Sequence, residues 1–226
     1  GYSGSKPSML DLCRYTNMGW AVLAIDVRGQ NGESNSTSFG EGGAVKGWMT
    51  IGIDSPQNYY YRGAYADCVR AFDLACSLDF VDENRIAATG GSQGGGLSIA
   101  AAALEPRIAA YAPDVAFLCH FQRAIQIAPG YPYKEIEEYL RKWPEREEQV
   151  FQTLSYFDCM NLAPWLKAPG LWSVSGNDST CPPSTTMAAY NHAQGDKQLK
   201  FYRYNYHEIP AQHEVAKLSW LAEVLG

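Results

Sequence analysis

Arg85-Ile86-Ala87-Ala88-Thr89-Gly90-Gly91-Ser92-Gln93-Gly94-Gly95-Gly96, running on into Leu97–Leu104, is the stretch that decides the fold. Ile86-Ala87-Ala88 reads as a short apolar strand and Leu97–Leu104 as an Ala-rich helix. Between them sits G-x-S-x-G, in the strand–turn–helix setting that a nucleophile elbow requires. The glycines answer a steric need, because a serine on so tight a turn tolerates no bulky Cβ groups beside it. The helix N-terminus offers unpaired N–H groups to a developing oxyanion. A phosphate-cradling loop is the competing reading. No Lys follows the glycines and the spacing is not G-x-x-x-x-G-K-[ST], so Ser92 is a candidate nucleophile instead.

Outward from the elbow, short β-rich runs alternate with longer helical ones, which predicts a mostly parallel sheet flanked by helices. Trp20–Val27, Arg85–Thr89, Ile108–Val115, Leu171–Ser175 and Lys200–Tyr204 read as strands. Tyr59–Leu78 and Ala211–Val224 read as helices, and residues 31–56, rich in Gly, Ser and Asn, as a long loop. The aromatic and charged stretch 117–168 reads as two or three helices inserted over one end of the sheet. The expectation is a single α/β domain over 1–226.

Composition removes several function classes. The 226 residues are 46% hydrophobic and 19% charged, too apolar for a disordered chain. The longest apolar runs, Trp20–Ile25 and Ile99–Leu104, fall far short of the roughly 20 residues that span a bilayer. Net charge is −6 and no Lys/Arg cluster exists, which argues against nucleic acid as a partner. Six cysteines, at 13, 68, 76, 119, 159 and 181, show no C-x-x-C spacing. They read as buried reduced thiols of a cytoplasmic protein rather than a disulfide framework. No basic N-terminus followed by an apolar stretch appears in the chain. His207-Glu208 and His213 suggest zinc at first sight, but the second His falls six residues on, off the face that H-E-x-x-H requires, so no metal is expected.

A serine hydroxyl needs a base. In α/β-hydrolases the acid and then the histidine follow the serine along the chain. His120, His192, His207 and His213 are the histidines available. His207 follows a predicted strand in a loop before the last helix, where a base can reach the elbow. His192 and His213 read as ordinary surface residues on helices, and His120 lies in the insertion. Asp178 comes just after the strand Leu171–Ser175, at the carboxyl edge of the sheet, and is the preferred acid. Asp114, at the end of the strand after the elbow, is its rival, or else a structural turn aspartate.

With these residues assembled, the chain resembles the acetyl xylan esterase / cephalosporin C deacetylase family, carbohydrate esterase family seven, over almost its whole length. Asp26-Val27-Arg28-Gly29-Gln30, Gly90–Gly95, Asp178-Ser179-Thr180-Cys181-Pro182-Pro183-Ser184-Thr185 and His207-Glu208 carry the likeness. Gly47-Trp48-Met49-Thr50, Tyr59-Tyr60-Tyr61-Arg62 and Phe117–Phe121 also read like the family. The resemblance implies an α/β-hydrolase fold and a triad of Ser92, Asp178 and His207. It implies an oxyanion hole from the backbone N–H groups of Gln93 and Tyr2, the latter ending a His-Gly-Tyr loop matched by Gly1-Tyr2. Arg28 and Gln30 match an R-G-Q signature, with a bracing role.

Two departures touch the pocket rim: Ala116 replaces the family's Pro, and Ile209-Pro210 replace Gly-Gly. Relatives carry further residues upstream that include the sheet's first strands, one of them beside Trp20–Val27. That implies a fragment, or a chain lacking those N-terminal strands and less stable than a longer relative.

The function implied is a serine carboxylesterase that removes acetyl groups from acetylated carbohydrates such as xylo-oligosaccharides and from cephalosporin-type esters. It would work through an acyl-enzyme, on chemistry that calls for no cofactor. A peptidase on the same fold and a non-catalytic truncated remnant are the alternatives. The partners implied are a small acetyl ester and, as in hexameric relatives, further copies of the chain; neither membrane nor nucleic acid is expected. Tyr131, Tyr133, Tyr139 and Trp143 in the insertion could stack on sugar rings, though aromatics more often pack.

Overall fold

Ala87–Gly91 (β1), Ala110–Asp114 (β2), Gly170–Ser175 (β3) and Lys197–Tyr202 (β4) form a parallel sheet in the order β1-β2-β3-β4, in a computed structural model that describes residues 1–34 and 47–226. Every residue of β2 and β3 is buried, as the near-continuous apolar runs of a two-sided parallel sheet require. β4, at one edge, alternates half-buried and exposed positions. Gly91 pairs with Asp114, Asp114 with Ser173, and Ser175 with Tyr202. The carboxyl ends of all four strands therefore finish on one rim, the edge where open α/β sheets build their sites.

Helices cover both faces. Met9–Thr16 (α1) begins at a capping box of Ser8 and Asp11. Tyr60–Cys76 (α2) and Gln93–Leu104 (α3) pack on the face that holds the larger core. α3 is apolar nearly all round, the mark of a central helix. A Cβ on Gly95 would lie 2.7 Å from the Asp114 carbonyl oxygen, and one on Gly96 2.4 Å from that of Phe117. Those two glycines let α3 sit directly on the end of β2.

The insertion carries Phe121–Ile127 (α4), Lys134–Lys142 (α5), Glu147–Ser155 (α6) and Cys159–Leu162 (α7), with short 3-10 turns at Pro144–Arg146 and Ala163–Trp165. That is more helices, and shorter ones, than the two or three expected from sequence. Pro144 opens one of the 3-10 turns and Pro164 is the second residue of the other. Buried Asp158 ties the insertion together by accepting from the N–H groups of His120 (2.7 Å), Phe121 (2.8 Å) and Met160 (2.9 Å). Pro183–His192 (α8) connects β3 to β4, and Ala211–Leu225 (α9) closes the opposite face through Trp220 and Leu221 against Ala110, Ala112 and Leu171.

Trp20–Val27 is not a strand. It runs without a ladder, and no described segment lies alongside to pair with it; Leu23 and Ile25 stay 47% and 37% exposed. Apolar pattern alone does not make a strand when the hydrogen-bonding neighbour is missing. Residues 35–46 of the loop expected over 31–56 fall outside the described residues. Among the described residues, no helix is long and apolar enough to cross a membrane.

Candidate active site

Ser92 stands between β1 and α3 at φ 57°, ψ −116°. A non-glycine residue held there is strained, by about 1–3 kcal/mol, and persists only when its surroundings fix it. The fixing groups are all backbone. The Ser92 N–H donates to the Asp114 carbonyl (2.9 Å), and its own carbonyl accepts from Gly96 (3.1 Å) and Phe117 (2.9 Å). The strain points Oγ out of the turn, 2.9 Å from His207 Nε2. A Cβ on Gly90 would come 2.7 Å from the backbone of Gly94, so the first glycine of the motif is there to let the turn close on itself.

His207 lies in the loop after β4, 2.7 Å from Asp178 Oδ2 through Nδ1. The other oxygen of Asp178 accepts from the N–H groups of Thr180 and Cys181, each at 2.8 Å. An ionised carboxylate only accepts, so the Nδ1 proton belongs to His207 and Nε2 is left as the acceptor for the Ser92 hydroxyl. The Asp178 side chain is 1% exposed and that of His207 28%. Asp178 is thus shielded while His207 keeps a solvent-facing edge. Two loops hold this register. Asn177 donates from its backbone to the Asn205 carbonyl (3.0 Å) and from its amide to that of Tyr204 (3.2 Å), and Ser175 Oγ donates to the Glu208 carbonyl (3.3 Å). A Cβ on Gly91 would lie 2.6 Å from Ile209 Cδ1, so Ile209 closes over the elbow.

The two residues expected to offer backbone N–H groups are Gln93 and Tyr2. Gln93 is the first residue of α3, and among the described residues neither its N–H nor that of Tyr2 meets an acceptor. Both side chains are anchored. Gln93 Nε2 donates to the Tyr61 hydroxyl (2.9 Å). The Tyr2 hydroxyl donates to Glu135 (2.8 Å) and accepts from the N–H groups of Trp48 (2.5 Å) and Met49 (3.1 Å). Burial raises the carboxyl of Glu135, and burial with the nearby Glu135 charge raises the Tyr2 phenol, so both hold their protons more firmly than usual. Glu135 had no sequence signal, because it lies 133 residues from Tyr2 inside a charged helix.

Arg28 and Gln30 stand back from Ser92. Arg28 forms a forked pair with Asp67, both contacts at 2.6 Å. Gln30 bridges the Tyr60 hydroxyl (3.0 Å) and the N–H of Ser3 (2.8 Å), beside Tyr2.

Asp114 does not meet His207. It is 0% exposed and gathers His213 Nε2 (2.6 Å), Lys217 Nζ (2.5 Å) and Ser173 Oγ (2.9 Å). Burial alone would raise its carboxyl; His213 and Lys217 outweigh that and hold it below the usual range. His213, expected at the surface, is 0% exposed. Its helix looks polar because Glu214 and Lys217 accompany it, yet Lys217 is itself buried against Asp114. His192 is exposed at the end of α8, and His120 caps α4 in the left-handed region. Of the aromatics considered for sugar stacking, Tyr133 is fully buried against Phe117, while Tyr131 is 57% exposed. Of the cysteines, four are buried, Cys76 is partly exposed and Cys13 exposed. The donor atoms of Asp178, Cys181 and His207 lie within 4.8 Å of one another.

A family model described as acetyl xylan esterase (AXE1) matches residues 1–224. Acetyl esterase Axe7A of Xylanibacter ruminicola is 29% identical over 213 residues, which cover 92% of this chain and 47% of that protein. The chain thus spans about half the length of this curated relative. An acetyl xylan esterase from Paenibacillus sp. R4 superposes with a TM-score of 0.95 at 46% identity, over 99% of this chain and 72% of the other. Acetyl Xylan Esterase 1 from Thermoanaerobacterium sp. superposes at 0.93 and 34% identity, over 100% and 73%.

Proposed function

We propose, from the premise that this chain belongs to the acetyl xylan esterase family, that it is a serine esterase releasing acetate from acetylated carbohydrates such as xylo-oligosaccharides, and from cephalosporin-type esters, through an acyl-enzyme. The observation that carries the reading is the unbroken contact from Ser92 Oγ to His207 to Asp178. In this mechanism His207 Nε2 takes the Ser92 proton as Oγ attacks the ester carbonyl. The N–H groups of Gln93 and Tyr2 receive the oxyanion, each contributing about 3 kcal/mol by analogy with comparable sites. His207 then protonates the departing alcohol. Water gives a proton to the same nitrogen, attacks the acyl carbon and releases acetate. Asp178 stays ionised, holds the tautomer and stabilises the imidazolium.

A cavity of about 460 Å³ lies beside Tyr2, bordered by Thr50, Tyr131, Glu135 and Glu138 and not by Ser92 or His207. It offers carboxylate acceptors and one exposed aromatic face. Six unpaired cysteines support a reducing, cytoplasmic setting. The test is hydrolysis of p-nitrophenyl acetate by the wild type and Ser92→Ala. Equal rates in the two would end the proposal.

A further inference from the structure

We propose that Asp178, Cys181 and His207 form a binding site for a soft divalent cation, such as cadmium or zinc, and that its occupation shuts the hydrolytic centre off. Three donors of different chemistry, a carboxylate oxygen, a sulfur and an imidazole nitrogen, stand within 4.8 Å of one another. A tetrahedral zinc needs donor–donor separations of roughly 3.5 Å, so opening the 2.7 Å contact of Asp178 with His207 and drawing the Cys181 sulfur in by about 1 Å completes three ligands and leaves the fourth position to water. His207 supplies the room for that movement, as its side chain is 28% exposed on a loop. Asp178 is already oriented, since the N–H groups of Thr180 and Cys181 hold one oxygen and turn the other toward His207.

Charge and softness choose the ion. An ionised Asp178 and a Cys181 thiolate together neutralise a divalent cation. A cation displaces the thiol proton of Cys181 as the metal–sulfur bond forms. Binding therefore forms the metal–sulfur bond and releases one proton to water. Only a thiophilic ion gains enough from that bond; magnesium and calcium, which select oxygen, do not. Inactivation follows from electron counting. A neutral imidazole has one lone pair, and once either ring nitrogen has given it to a metal, none remains for the Ser92 proton.

The site and its consequence are read separately, because the shut-off rests on the proposed hydrolytic function and the binding does not. The 226-residue chain is titrated with cadmium chloride, following the ultraviolet cadmium–thiolate absorption and, in parallel, p-nitrophenyl acetate hydrolysis relative to each variant's own metal-free rate. The wild type is expected to bind one cadmium and to lose activity to cadmium or zinc but not to magnesium or calcium, with EDTA restoring it. In Cys181→Ala the band attributable to this site disappears and the inhibiting concentration rises at least tenfold; in His207→Gln binding weakens by a similar factor. An unchanged band or unchanged inhibition in Cys181→Ala would overturn the site and place the metal on another thiol, such as exposed Cys13. If Cys181→Ala does not fold, unchanged cadmium affinity in His207→Gln overturns it equally.

Discussion

Replacing Asp114 with Asn separates the group that holds the elbow's neighbourhood from the group that serves the base. The Asp114 carboxylate lies 2.6 Å from His213 and 2.5 Å from Lys217, and the two partners are 0% and 2% exposed. Asn keeps the shape and one acceptor oxygen but removes the charge, leaving the buried ammonium of Lys217 with Glu214, at 3.2 Å, as its remaining carboxylate. Breaking a buried pair in this way costs about 3–5 kcal/mol. For a chain of this size each kcal/mol moves the melting temperature by about 2–4 °C, so the transition should fall by roughly 6–20 °C. The rate should suffer little, because Ser92 is held by the Asp114 backbone carbonyl, which the substitution leaves in place. Asp178→Asn should do the opposite. It mis-sets the His207 tautomer and lowers kcat by about 10⁴-fold, close to 5 kcal/mol of barrier. Far-ultraviolet circular dichroism melts, paired with p-nitrophenyl acetate kinetics well below each transition, give both numbers. The reasoning fails if Asp114→Asn melts with the wild type, or if it loses more rate than Asp178→Asn.

The same carboxylate has a pH signature. Its folded value lies below the ordinary one, so its stabilisation is present above the usual carboxylate range, near pH 4, and fades as pH falls through the lower folded value. The stability gap between wild type and Asp114→Asn in urea should therefore narrow from pH 6 toward about pH 3; a constant gap would count against the ion cluster. Gly95→Ala should cost about 1–3 kcal/mol, because its Cβ meets the Asp114 carbonyl at 2.7 Å, whereas Gly94→Ala meets nothing and should be neutral or slightly stabilising by chemical denaturation. Tyr2→Phe removes the anchor to Glu135 and should lower kcat roughly tenfold with KM less affected, since a hydrogen bond to a charged group is worth about 1.5–3 kcal/mol; an unchanged kcat would remove Tyr2 from the oxyanion site.

Local chemistry written in adjacent residues was legible in the sequence. Gly90-Gly91-Ser92-Gln93-Gly94 encodes a turn whose sterics act within five positions. The strands β2 and β3 announce themselves because burial on both faces demands unbroken apolar runs. His207 and Asp178 were legible as loop residues following strands, and a parallel sheet brings all such loops to one rim. What escaped the sequence depends on partners distant along the chain. His213 and Lys217 look like the polar face of a surface helix until β2 delivers Asp114 beneath them. Glu135 looks like one charge among many on α5 until Tyr2 reaches it. Trp20–Val27 has a strand's composition but, among the described residues, no neighbour to pair with, and pairing is not a property of a single segment.

The most direct test of the central claim, that His207 makes Ser92 nucleophilic, is the intact mass of the protein after exposure to a fluorophosphonate, with the adduct mapped by peptide sequencing. The account predicts a single adduct on Ser92 in the wild type and almost none in His207→Gln at the same exposure. An adduct that forms equally fast in His207→Gln, or that maps to a different residue, would contradict it.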